Sequence, residues 1–104
     1  MKPTKKEIIE FLQTIKIKFQ ANGIEEIALF GSYARGEESV YSDIDIAIRK
    51  DSVFLQNNNA YDYFNRVALL KELLGKKFHR NIDIFDLDSD STMKQTISKD
   101  LIYV

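Results

Sequence analysis

Apolar residues recur along the first twenty positions at three- and four-residue steps: Ile8, Phe11, Leu12, Ile15 and Phe19. That period puts them on one stripe of an α-helix. Thr4 and Glu7 stand at capping-box spacing, so the helix is expected to start at Thr4, its hydroxyl accepting a first-turn N–H and Glu7 reaching back. Asn22-Gly23 ends it, because both residues tolerate the left-handed conformation. Glu26–Phe30 reads as a short strand that stops at Gly31, and Asp43–Ile48 alternates as a second strand. Residues 49–59 are polar and rich in asparagine, a loop. Tyr61, Phe64, Val67, Ala68, Leu70, Leu73 and Leu74 predict a helix over Ala60–Leu74 closed by Gly75. Lys76, Lys77 and Arg80 follow as solvated charge that suits a helix C-terminus, and His79 falls in a loop. Asn81–Phe85 is a third strand, Thr92–Lys99 a last short helix and Leu101–Val104 an apolar tail. Helices and strands alternate, which predicts an α/β fold: a small mixed β-sheet flanked by helices.

The chain has 104 residues, the size of one domain, so residues 1–104 are expected to form a single unit. Hydrophobic residues make up 44% and charged residues 30%, enough for one core. The net charge of −1 argues against a broadly basic nucleic-acid groove or a polybasic membrane anchor. There is no cysteine, which removes disulfides and thiolate-held metals, and the lone His79 removes a multi-histidine site. No apolar run reaches the length of a membrane span, and Met1-Lys2-Pro3 leads into charge rather than a signal-peptide core. A soluble, cytoplasmic protein is expected.

The informative stretch is Phe30-Gly31-Ser32-Tyr33-Ala34-Arg35-Gly36, followed by Ser42-Asp43-Ile44-Asp45-Ile46. Side chains two apart in a strand share a face, so Asp43 and Asp45 project together while Ile44, Ile46 and Ile48 enter the core. Ala47, on the aspartate face, is small and leaves room. Asn81-Ile82-Asp83-Ile84 repeats the logic, with Asp83 facing away from the core. If the two strands are neighbours, three carboxylates share one surface. Like charges about 4 Å apart repel by about 1 kcal/mol in water and about 4 kcal/mol at an effective dielectric of 20, so such a cluster calls for a counter-charge. Magnesium, which prefers hard oxygen ligands and phosphates, supplies one, and two such ions clamp the oxygens of a phosphoryl transfer. A strand ending in Gly31-Ser32 before a helical turn offers backbone N–H groups and a hydroxyl to phosphate oxygens. Gly31 lets the backbone approach them, and Arg35, one turn on, is a planar donor within reach of a triphosphate. Asp86 and Asp88 lie close to Asp83 in the chain; Asp86 has the parity of Ile82 and is expected to end the strand, and Asp88 falls in the exit loop, which favours Asp83 as the third acid.

Gly31-Ser32, ten residues, then Asp43-Ile44-Asp45 resembles the signature of the DNA polymerase β-like nucleotidyltransferase superfamily. The fuller run through Arg35-Gly36-Glu37 resembles its small prokaryotic branch, the minimal nucleotidyltransferases, over nearly the whole chain. The resemblance implies a nucleotidyltransferase fold and an enzyme that transfers a nucleoside monophosphate from an NTP, with release of pyrophosphate. By the same resemblance Gly31 and Ser32 are phosphate-binding, Asp43 and Asp45 are the metal-binding pair, and Asp83 is the third carboxylate, touching metal and activating the acceptor hydroxyl. It also implies ATP as donor, Mg²⁺ as cofactor with two ions, and a HEPN-domain toxin as partner. The chain is then an antitoxin that adenylylates the toxin, commonly at a tyrosine.

Larger relatives carry an added domain that grips the acceptor, and this chain has no residues left for one, so a second copy or a partner chain is expected to supply that surface. Tyr61, Tyr63, Phe64 and the tail Leu101–Val104 either serve such an interface or pack in the core. Two other readings keep the fold: an antitoxin that masks its partner without catalysis, and nucleotidyl transfer to a small molecule or an RNA 3′ end. The intact acids count against the first. The near-neutral charge and the missing acceptor domain count against the second.

Overall fold

In the computed structural model, residues 3–51, 53, 56, 60–88, 95 and 97–104 are described. Helix α1 spans Lys5–Gln20, with Thr4 extended at its N-cap. The Thr4 hydroxyl oxygen accepts the Glu7 N–H at 3.1 Å and donates to the Glu7 carboxylate at 3.0 Å, so the cap closes between two side chains rather than through a backbone N–H of Thr4. Gly23, at φ 97°, turns the chain into β1, Ile24–Phe30. A one-turn helix α2 (Gly31–Arg35) follows, then β2 (Ile44–Lys50), α3 (Ala60–Phe78), β3 (Ile82–Asp86) and the two-residue β4 (Ile102–Tyr103). The sheet order is β3-β2-β1-β4. β1 is antiparallel to both β2 and β4, while β3 runs parallel to β2, which makes the mixed sheet expected of this pattern.

Several boundaries differ from the sequence reading, each for a packing reason. α3 runs through Gly75 to Phe78, because Phe78 is buried and meets Phe11 of α1 edge-on at 5.6 Å. His79, exposed and at φ 53°, takes the left-handed exit that Gly75 was expected to make. β1 begins two residues before Glu26, as buried Ile24 pairs with Lys50. β2 begins at Ile44, so Asp43 stands just outside it, and it takes in Arg49 and Lys50, which had been assigned to a loop. Residues 53 and 56 of that loop are helical, and 52, 54, 55 and 57–59 lie outside the described residues. β3 starts at Ile82 rather than Asn81, and Asp86 ends it as expected, as its last residue, held by Lys50 Nζ at 2.7 Å. Of the expected helix over Thr92–Lys99, Gln95 and Ile97 are helical, residues 98–99 form a turn, and the rest lies outside the described residues. The apolar tail is a strand: Tyr103 and Ile102 pair with Ala28 and Leu29, and Lys16 Nζ donates to the Val104 carbonyl.

The alternation of the strands sorts their side chains onto two faces. Ile27, Leu29, Ile44, Ile46, Ile48 and Ile82 pack against Ile8, Leu12 and Phe19 of α1 and Tyr63, Leu70, Leu74 and Phe78 of α3. Burying each such side chain is worth about 1.5–3 kcal/mol. The opposite face carries a smaller cluster, Ala28, Phe30, Ala47, Leu87 and Ile97, with Phe85 and Leu101 against it. Tyr63 is core, whereas Tyr61 and Phe64 on α3 are exposed.

Tyr33 of α2 is wholly buried in the larger cluster, and its hydroxyl has no hydrogen-bond partner among the described residues. A buried, unpaired hydroxyl costs about 1–3 kcal/mol. Tyr33→Phe is therefore expected to stabilise the fold by about 1 kcal/mol and to raise Tm by about 4 °C in a thermal melt. A lower Tm for the variant would show that the hydroxyl is satisfied in solution.

Candidate active site

Two copies of the same three-residue pattern set the site. Ile44-Asp45-Ile46 and Ile82-Asp83-Ile84 lie on adjacent parallel strands in register, Ile44 beside Ile82, Asp45 beside Asp83 and Ile46 beside Ile84. Burying both isoleucine pairs against the helices excludes a one-residue slip, which would send the aspartates into the core. Opposed residues in a sheet point to the same face, so Asp45 and Asp83 project together. On the other side of Asp45 stands Phe30, the last residue of β1, and Gly31-Ser32 continues from it. The end of β1 and the starts of β2 and β3 thus meet at one edge, and Asp43, exposed, precedes Asp45 there by two positions.

Gly31 has a role that its sequence context did not disclose. It sits at φ 77°, and a Cβ built on it would fall 2.1 Å from Asp45 Oδ2. The aspartate carboxylate therefore occupies the space a side chain would fill. α2 starts at Gly31 with extended Phe30 as its N-cap, whose side chain makes no capping hydrogen bond. Ser32 is half-buried in that turn, its carbonyl taken by the Glu37 N–H at 2.9 Å. Gly36, left-handed at φ 74°, closes the helix.

The electrostatics follow from this crowding. The Asp45 carboxyl is raised to about 6, first by burial, then by the negative charges of Asp83 and Asp43, with Arg35 opposing. The nearby Asp83 side chain also favours the protonated form of Asp45. Among the described residues no three His, Cys, Asp or Glu side chains are gathered closely enough to hold an ion as they stand. The donor set still fits a divalent cation of the magnesium type: the oxygens are hard, two of the acids are in contact, and their charge excess is what a cation would relieve.

The remaining candidates separate cleanly. Asp86 and Asp88 are committed to the far end of the strands. Asp86 binds Lys50 Nζ and faces the Tyr63 hydroxyl at 3.5 Å, and Asp88 accepts the Lys50 N–H at 2.8 Å. Asp83 is the acid beside Asp45. Arg35 lies close enough for Asp45 to feel its charge, but its guanidinium is engaged by Asp100 at 2.8 Å and Glu37 at 3.5 Å. Asp100 escaped the sequence reading because it is 65 residues from Arg35 and belongs to no motif.

Known proteins share this sequence pattern and this fold. The family described as "Polymerase beta, Nucleotidyltransferase" matches residues 7–104. A curated archaeal protein, "Putative protein adenylyltransferase MJ1379" of Methanocaldococcus jannaschii, is 40% identical over 83 residues, covering 78% of this chain and 77% of its own. A second of the same name, MJ0126, is 32% identical over 109 residues, 97% of this chain and 98% of its own. Among solved structures, a toxin–antitoxin crystallised with AMP-PNP is similar over 97% of this chain and 72% of that chain, at 25% identity and a TM-score of 0.57. A mutant MntA–HpeT toxin–antitoxin structure, 22% identical, shares the fold with a TM-score of 0.60 over the same fractions. Among the described residues no helix is long and apolar enough to cross a membrane. Matched along nearly all of its length, the chain belongs to the polymerase β nucleotidyltransferase family and is an enzyme of that class.

Proposed function

We propose that residues 1–104 work as one minimal catalytic domain that moves AMP from ATP to a side-chain hydroxyl, a tyrosine, of a HEPN-domain toxin, and thereby acts as its antitoxin in the cytoplasm. The observation that carries the reading is the register of Asp45 beside Asp83 next to the Gly31 bend. The relatives named as protein adenylyltransferases and the toxin–antitoxin neighbour with AMP-PNP support the adenine donor and the protein acceptor.

In this reading Asp43, Asp45 and Asp83 hold magnesium, which supplies charge neutralisation at the phosphates when bound. The N–H groups of Gly31 and Ser32 and the Ser32 hydroxyl bind phosphate oxygens, and Arg35 steadies the triphosphate. Asp83 takes the proton of the acceptor hydroxyl. The hydroxyl oxygen then bonds to the α-phosphorus as the bond to the β-phosphate oxygen breaks, and pyrophosphate leaves. The toxin supplies the acceptor-gripping surface.

The test is transfer of label from α-labelled ATP to the HEPN partner in magnesium. Label on a partner tyrosine is expected with the wild type and none with the Asp43→Asn/Asp45→Asn double variant. Full neutralisation of the toxin by that variant would favour masking, and label on RNA instead of the partner would favour a nucleic-acid acceptor.

A further inference from the structure

Arg35 is a cation whose charge reaches Asp45, and the fold fixes it from a distance. Its Nη1 donates to Asp100 Oδ2 at 2.8 Å, and its Nε faces Glu37 Oε2 at 3.5 Å. The Asp100 side chain is only 23% exposed, against 42% for Arg35, so the carboxylate is the more firmly seated partner. Its seat is built from both directions along the chain. Ile97 is buried in the smaller cluster and Leu101 packs on it, and the Asp100 N–H donates to the Ile97 carbonyl at 3.0 Å. Two residues later the chain pairs with β1 through Ile102 and Tyr103, and the Val104 N–H donates to Ile27 at 3.1 Å. A short carboxylate on pinned backbone thus holds a long side chain that would otherwise sample many rotamers.

We propose that Asp100 is a positioning residue: it holds the Arg35 guanidinium at the edge of the Gly31-Ser32 turn, ready for the triphosphate of the incoming nucleotide. The proposal rests on the reading of this edge as an NTP site. A guanidinium has five N–H donors, so two carboxylate contacts leave capacity for phosphate oxygens. An arginine already ordered loses less freedom when a phosphate meets it, and that saving appears as affinity. The two carboxylates also offset the charge of Arg35, so its contribution is directional rather than a general attraction to anions. β4 and the turn before it, whose apolar tail was expected to serve an interface or the core, become the support for a binding residue.

The test is calorimetric titration of the full chain with ATP in magnesium, and with AMP as control. Asp100→Ala is expected to weaken ATP about fivefold and Arg35→Ala about tenfold, with AMP affinity unchanged for both, because AMP lacks the β- and γ-phosphates. The Arg35→Ala/Asp100→Ala double variant is expected to bind ATP no more weakly than Arg35→Ala alone, since Asp100 acts through Arg35. Asp100→Glu is expected to recover most of the loss. Asp100→Asn, close in shape, replaces the alanine variant if that one melts early. Additive losses, an equal loss for AMP, or ATP binding as tight as or tighter than wild type in Asp100→Ala would each overturn the proposal. A wild type that binds no ATP would overturn the nucleotide site and this inference together, whereas wild-type binding that needs Asp45 but not Asp100 would overturn this inference alone.

Discussion

Asp45→Asn is expected to abolish label transfer, by at least about a thousandfold, while making the metal-free protein more stable at neutral pH. The activity loss follows from removing the central carboxylate of the three, where a ligand to the divalent cation is worth several kcal/mol of transition-state stabilisation. The gain in stability follows from linkage. The folded carboxyl is raised to about 6 from an ordinary 3.8 by burial and by Asp83 and Asp43. Between those two values the native state binds the extra proton, so stability is full below pH 4 and falls as pH rises through 6. At pH 7.5 the ionised group costs about 1–2 kcal/mol, allowing for its partial contact with solvent. In chelator at pH 7.5, Asp45→Asn is therefore expected to melt about 5 °C above the wild type, with the gap closing by pH 4. With magnesium and ATP the wild type is expected to gain Tm and the variant to gain little. A variant less stable than wild type in chelator at pH 7.5 would show that the acids do not crowd one another.

Gly31→Ala is expected to cost far more than a methyl group normally does. At φ 77° an alanine pays about 1–2 kcal/mol for the left-handed backbone. Its Cβ also lands 2.1 Å from Asp45 Oδ2, so the carboxylate has to leave its place. Together these amount to about 2–4 kcal/mol, a fall in Tm of about 10 °C or more, with transfer lost even where the variant remains folded. The two contributions separate in a double-mutant cycle. In an Asp45→Ala background the clash is absent, and Gly31→Ala is expected to cost only the backbone strain. Equal costs in both backgrounds, read from thermal melts, would show that the close approach of Asp45 to Gly31 does not exist in solution.

Both results turn on features of unequal legibility in the sequence. Asp45 was readable as a site residue because its strand alternates: Ile44, Ile46 and Ile48 demand a buried face, and the aspartate is left on the other. Asp83 was readable because Ile82 and Ile84 impose the same choice, and Asp86 was separable from it by parity. Gly31 was singled out for approach to phosphate, yet its contact with Asp45 depends on the antiparallel pairing of Phe30 with Asp45. Gly75 misled as a helix stop, because a glycine in a helix costs only about 1 kcal/mol and burial of Phe78 outweighs it. The tail Leu101–Val104 looked merely apolar, since two residues of pairing leave no alternation long enough to register as a strand.

By itself, the chain's order of apolar and polar residues determined the α/β class, the mixed sheet, the three-residue pattern repeated on two strands, and the family those residues mark. These are local matters, settled by which face of a strand or helix must avoid water. Tertiary structure alone decided that Asp45 rests against Gly31 and is crowded by the charge of Asp83, and that Asp100 reaches Arg35 across 65 residues. Such contacts arise where separate elements are packed together, and the spacing of residues along one chain carries no record of them.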